Sequence, residues 1–157
     1  MTTAETAGTV LARFESAWAA LEKTIKSLGE RELTTVRDPA GWSAKDHLSH
    51  LAAWDEALLA KLDGRARHVV LGIDEALANS EDYDAMNAAI FQATRDRSLT
   101  EALDAVRTTQ AATRRHLSTI ASGRTDVPGA DGFLTDAPGY ADHYDQHHGW
   151  IKELVAR

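Results

Sequence analysis

The chain contains no cysteine, so disulfides, thiolate metal sites and cysteine nucleophiles are excluded at once. Prolines are scarce, with Pro39, Pro128 and Pro138 the only three in 157 residues, and long helices can run between them. Aromatic residues make up 6% of the chain. Basic residues are outnumbered 17 to 24 by acidic ones, for a formal charge of −7. That balance argues against a protein built to hold phosphate backbones, which needs clustered Lys and Arg. The basic residues present, such as Arg65, Arg67, Arg95, Arg97, Arg107, Arg114 and Arg115, are scattered and lack the aromatic interleaving of a strand-binding groove. No apolar run is long enough to span a bilayer. The segment from Met1 to Glu15 is polar, with neither a basic n-region nor an apolar h-region. The expectation is a cytoplasmic protein with no membrane or nucleic-acid partner.

What remains is 43% hydrophobic and 26% charged, the composition of one globular domain, here taken as residues 1–157. Its periodicity is helical. Leu11, Phe14, Trp18, Leu21, Ile25 and Leu28 recur at spacings of three and four, and Gly29 stops the pattern. A polar connector, Glu30 to Gly41, follows. Ser43 and Asp46 then form a capping-box start, and a helix carries His47, His50, Leu51, Trp54, Leu58 and Leu62 inward as far as Asp63-Gly64. Arg65 to Ser80 reads as irregular. Glu81 to Asp96 reads as a shorter helix presenting Met86, Ile90 and Ala93. Ser98 and Glu101 open a long helix to about Ala121, whose stripe is interrupted midway by Gln110 and Thr113. Ser122 to Pro138 reads as loop, and Pro138 or Gly139 as the start of a last helix bearing Tyr140, His143, His147, Ile151 and Leu154. Four long helices, one short one and no strand predict an all-α four-helix bundle with one additional short helix.

Three of the seven histidines, on stripes that a bundle turns inward, combine into a candidate site. His143 and His147 are four apart and share one helix face, with Cβ atoms roughly 6 Å apart. His50 lies on the apolar stripe of another helix. Together they form a candidate three-His site for a divalent transition metal, and neutral imidazole suits zinc, nickel, iron or copper. The competing reading is three partly buried histidines, each satisfied by a hydrogen bond. The pair is not a zincin motif, because position 144 is Tyr where a Glu general base would stand. His148 points about 100° away from His147 and reads as a rim residue. His47 reads as supporting or packing against the site, His116 as part of a solvated face, and His68 as a loop residue.

The segment Gly41-Trp42-Ser43-Ala44-Lys45-Asp46-His47-Leu48-Ser49-His50-Leu51-Ala52-Ala53-Trp54, with His143-Tyr144-Asp145-Gln146-His147, resembles the DinB-like superfamily of metal-binding four-helix bundles. The resemblance runs from about Phe14 to Leu154. It puts His50 in the place of the second-helix ligand and His143 and His147 in the places of the final pair. Asn87-Ala88-Ala89-Ile90-Phe91 and the spacing of His143-Tyr144, His147 and Trp150-Ile151 look most like the ClbS/DfsB group. Relatives implied by the resemblance include thiol transferases and isomerases using bacillithiol, mycothiol or glutathione, and self-resistance proteins, one kind of which hydrolyses a cyclopropane genotoxin. The chain departs from the thiol-transferase pattern, having His148-Gly149-Trp150 where those proteins often continue with Arg-Gly-Gln.

The resulting expectation is a metal-dependent hydrolase or transferase acting on a small reactive electrophile, in detoxification or self-resistance. A low-molecular-weight thiol is a candidate cosubstrate. Asp46, Tyr144 and Asp145 are candidates to orient an imidazole or carry a proton, while Asp142 reads as a solvated helix charge. Trp42, Trp54, Tyr144 and Trp150 are candidate pocket walls. Three alternatives stay open: a non-catalytic or sacrificial bundle that binds the same metabolite, a mycothiol- or bacillithiol-dependent S-transferase or isomerase as the resemblance implies, and a structural bundle whose histidines bind nothing. A homodimer through one exposed helix face is compatible with each.

Overall fold

A computed structural model describes residues 2–156, which form eight helices. Four are long: α1 (Thr3–Ser27), α3 (Ala44–Asp63), α7 (Leu99–Ala121) and α8 (Ala130–Val155). Between them lie three one-turn helices, α2 (Glu30–Thr34), α4 (Arg67–Leu71) and α5 (Glu75–Ala78), and the shorter α6 (Tyr83–Thr94). Helices α1 and α3 each pack against both α7 and α8, so the four long helices make a bundle with α1 diagonal to α3. The all-α bundle expected from periodicity is present. No helix among the described residues is long and apolar enough to cross a membrane.

Local chemistry sets the boundaries. Thr2 and Glu5 cap α1 reciprocally, and Ser43 and Asp46 do the same for α3. Gly64, left-handed at φ 68°, ends α3, and the Ser98 hydroxyl accepts from the Glu101 amide at the start of α7. Lys45 donates to the carbonyls of Arg95 and Arg97 at 2.8 and 2.6 Å, tying the first turn of α3 to the end of α6. Phe14, Leu21, Leu48, Leu51, Leu58, Val106, Leu117, Phe133 and Ile151 fill the main core. Trp54, Ala57, Leu71, Met86 and Ile90 form a smaller cluster that fixes α4 and α6 on α3.

Three expectations are corrected. The connectors at 30–41 and 65–80 contain α2, α4 and α5, each too short to show a period. On α6 the inward residue is Thr94, with Ala93 exposed. The last helix begins at Ala130, not at Pro138, so Pro138 lies inside α8. Its ring removes the N–H that would bond the Leu134 carbonyl. The helix continues because Ala130, Phe133, Leu134, Ala137 and Ala141 bury one stripe on both sides of the proline.

The polar interruption of α7 marks a buried network. Asp55 on α3 is 1% exposed, and one of its oxygens, Oδ2, accepts from Thr109 Oγ1 at 2.9 Å and from the Tyr144 hydroxyl. Its Oδ1 is buried with no hydrogen-bond partner. Burial pushes the Asp55 carboxyl up to about 7, against the opposing pull of its two hydroxyl donors. The folded state therefore favours the protonated acid, and that contribution to stability is complete below about pH 4 and lost as pH rises through about 7. Thermal melts of wild type and Asp55→Asn between pH 5 and 8 test this. The Tm of wild type relative to the variant is expected to fall with rising pH, and parallel curves would refute the assignment.

Candidate functional site

The site forms where one end of α3 meets the middle of α8. The turn before α3 is closed by bonds from Asp38 N to Trp42 O and from Gly41 N to Asp38 O, each 2.9 Å, with Gly41 at φ 89°. That turn delivers Asp38 and Trp42 to the site. One helical turn apart on α3, His47 and His50 then face His143 and His147, which are one turn apart on α8.

His50, His143 and His147 each offer one ring nitrogen, and the three atoms lie within 4.8 Å of one another. His50 Nε2 and His143 Nε2 are 3.1 Å apart. The ring of His147 sits 4.6 Å from that of His50 and 4.5 Å from that of His143, centroid to centroid. Burial holds the imidazoles neutral. It lowers His50 to about 3, with His143 and His47 adding repulsion, and lowers His143 to about 4. His147 is pushed down furthest, by burial first and then by His50, His143 and His47. Three neutral imidazole nitrogens brought this close together are the donor set of a divalent transition metal. His50 Nδ1, buried without a hydrogen-bond partner, leaves that ring with capacity that the protein itself does not use. The residues present therefore fit a metal ion.

His47 is not a fourth member of the cluster but its support. Its Nε2 lies 3.1 Å from Asp38 Oδ2 and its Nδ1 lies 2.9 Å from His147 Nδ1. An ionised carboxylate only accepts, so His47 carries its proton on Nε2 and accepts at Nδ1. His147 must then donate from Nδ1, which leaves the lone pair on its Nε2. These tautomers are assigned from the hydrogen-bond chain itself. Burial lowers the His47 pKa, and Asp38 opposes that shift. Sequence reasoning passed over Asp38 as part of a polar connector. The signal was an Asp-Pro turn shortly before a helix whose first turns carry two histidines.

The other candidates fall in different places. Asp46 is 2% exposed, and its Oδ2 accepts from the Ser43 amide and hydroxyl and from Arg37, so it secures the start of α3. Tyr144 is fully buried, edge-on to Phe14 and Trp18 on the α1 side, with its hydroxyl on Asp55. Asp145 is exposed. The structure brings none of the three into contact with the cluster. Asp142, read as solvated, pairs with Arg13. His148 turns to α1, with Nε2 2.7 Å from Thr24 Oγ1. His68 lies in α4, and half-buried His116 packs edge-on to Phe133, so its face is not simply solvated.

The tryptophans do line the site. Trp42 stacks on Phe91 at 5.4 Å and covers the rings of His47 and His50 at 5.2 and 5.1 Å. Trp150 is edge-on to His147 at 4.7 Å and is 44% exposed at the rim. Trp54 donates from Nε1 to Asn87 Oδ1 at 3.0 Å. Two chambers open beside the cluster. One, of about 920 Å³, is walled by Trp42, Phe91 and Trp150, and the other, of about 780 Å³, by Trp54, Arg67, Tyr83 and Tyr140. His50, His143, Asn87 and Gln146 line both, so the histidines sit at the junction.

Comparison with known proteins gives the family of the chain. No curated protein and no solved structure matches the chain significantly. Residues 13–151, which include all three histidines and the supporting Asp38 and His47, match the pattern of the DinB superfamily. The chain belongs to the DinB superfamily.

Proposed function

We propose that this protein is a metal-dependent enzyme that hydrolyses a small reactive electrophile or transfers it to a thiol, in detoxification or self-resistance, and that it stands nearest the ClbS/DfsB group. The observation that carries the reading is the position of the neutral three-histidine cluster at the junction of two ligand-sized chambers. His50, His143 and His147 would hold the ion, with zinc, nickel and iron the candidate metals. A bound divalent ion supplies Lewis acidity that acidifies a water or thiol and polarises the electrophile. Trp42, Phe91 and Trp150 shield the cluster from bulk water. Asp38 and His47 hold a proton on His147 Nδ1 and keep its ring in place.

A sacrificial or non-catalytic binder is the second reading. It is favoured by one feature: none of Asp46, Tyr144 and Asp145 reaches the cluster to serve as acid or base. Turnover separates the two. Protein loaded with zinc, nickel or iron is mixed with a tenfold excess of an epoxide or activated cyclopropane, with and without glutathione, and product is counted by mass spectrometry. More than one product per chain, lost on chelation, is the expected result. Consumption that stops at one equivalent would replace the enzyme with a sacrificial acceptor.

A further inference from the structure

The chamber beside Arg67 has an unbalanced charge. Its charged lining residues are Arg67, Asp136 and Asp142. Asp136 is paired with Lys61 at 3.0 Å and Asp142 with Arg13, so both carboxylates are already neutralised from the rim. Among the described residues, Arg67 has neither an ion pair nor a side-chain hydrogen bond, and its guanidinium is held 5.8 Å from the Trp54 ring centroid. It is half-buried in the chamber wall.

Two neutral donors share that chamber. Asn87 accepts the Trp54 Nε1–H on its Oδ1, so the end of the amide left for a ligand is its NH₂. Tyr140 adds a phenolic hydroxyl. A guanidinium, an amide NH₂ and a phenol all donate, and a planar guanidinium matches a carboxylate in two parallel bonds. One free cation beside two paired carboxylates matches a monoanion and leaves half the charge of a phosphate dianion uncompensated.

We propose that this chamber is a carboxylate subsite, anchored by Arg67 with Asn87 and Tyr140 as neutral donors, for a small organic acid that reaches across the histidine cluster. The remainder of the ligand lies in the second chamber, against the Trp42–Phe91 stack and Trp150. The subsite deepens the function proposed above by naming the substrate class. Only the location of the ligand's reacting end rests on that earlier reading; the carboxylate contact does not require a metal.

The test therefore uses metal-free protein, dialysed against EDTA, so that no ion can take the carboxylate. Binding of 4-fluorobenzoate and of its neutral counterpart 4-fluorobenzamide is followed by fluorine NMR titration of wild type, Arg67→Gln and Arg67→Lys. Wild type is expected to bind the acid about tenfold more tightly than Arg67→Gln does, with Arg67→Lys between them and the amide indifferent to all three. Raising the salt concentration should weaken acid binding to wild type and to Arg67→Lys but leave that of Arg67→Gln almost unchanged. Circular dichroism melts confirm that each variant is folded, and the salt dependence of wild type stands without any variant. Competition with succinate and with glutathione tells the sources apart. Displacement by both assigns the subsite to carboxylates generally, and displacement by glutathione alone assigns it to a thiol cosubstrate. Equal binding of acid and amide, or of acid to wild type and Arg67→Gln, would overturn the proposal. If the acid site holds while metal binding fails, the metalloenzyme reading falls and the subsite survives.

Discussion

His143→Ala is expected to weaken zinc binding by about 10²–10³-fold, while His47→Leu weakens it by only about 10–100-fold. Structural zinc sites release about 10–16 kcal/mol from four ligands, so one ligand accounts for roughly 3 kcal/mol, or two to three orders of magnitude in affinity. Removal of a partner behind a ligand typically costs about one to two orders of magnitude, because the ligand survives but its ring is no longer held. His143 contributes a nitrogen to the cluster directly. His47 acts through His147, by accepting at its Nδ1 from the Nδ1–H 2.9 Å away. His47→Asn is the informative companion. Its amide oxygen stands near the place of the lost Nδ1 and can still accept from His147, so its affinity should return most of the way to wild type. Competition with a chromophoric chelator measures all three. Equal losses for His143→Ala and His47→Leu would make His47 a ligand in its own right. No rescue by Asn would remove the acceptor role assigned here.

Gly129→Ala is expected to destabilise the fold by about 3 kcal/mol or more, lowering Tm by roughly 6–12 °C. Gly129 precedes α8 at φ 77°, a conformation that costs about 1–2 kcal/mol for a residue with a Cβ. Its position is also crowded. A Cβ there would sit 2.2 Å from the carbonyl oxygen of Lys61 and 3.2 Å from Leu62 Cα, both backbone atoms of α3. The start of α8 is thus docked directly on the end of α3 and has no flexible neighbour to yield. Gly132, three residues into the same helix, has nothing within 4 Å of where a Cβ would sit. Gly132→Ala should be neutral or raise stability by about 0.5–1 kcal/mol. Thermal melts of the two variants test the pair together, and similar Tm values would contradict the close approach at Gly129.

Those two glycines also explain what was legible in the sequence. Wherever a helix carried a cap and a sustained three-four stripe, its start and end could be read to within a residue or two, as for α3 and α7. The start of α8 was misread because proline is favoured in a helix's first turn and Pro138 precedes a clear stripe. The competing signal, Ala130, Phe133, Leu134 and Ala137, lay in a stretch of glycines and charges that resembles loop composition. Small residues at a close helix contact carry little hydrophobic signal of their own.

The site divides in the same way. Helical spacing exposed His143 and His147, and the inward stripe exposed His50. Asp38 sits in a turn with no periodicity, and only tertiary structure brings its carboxylate to His47. Tyr144 lies between the two histidines in sequence. On a helix that neighbour points about 100° away, and here it turns to Asp55 in the core. Arg67 was one of several scattered cations; its environment depends on α4, a helix of five residues.

The central claim is that His50, His143 and His147 hold one metal ion, and metal content tests it most directly. The protein would be purified without a histidine tag and measured by plasma mass spectrometry, beside the His143→Ala/His147→Ala double variant. The account predicts about one transition-metal ion per chain in the wild type and none in the folded double variant. Equal and negligible metal in both, even after incubation with zinc and nickel, would contradict it.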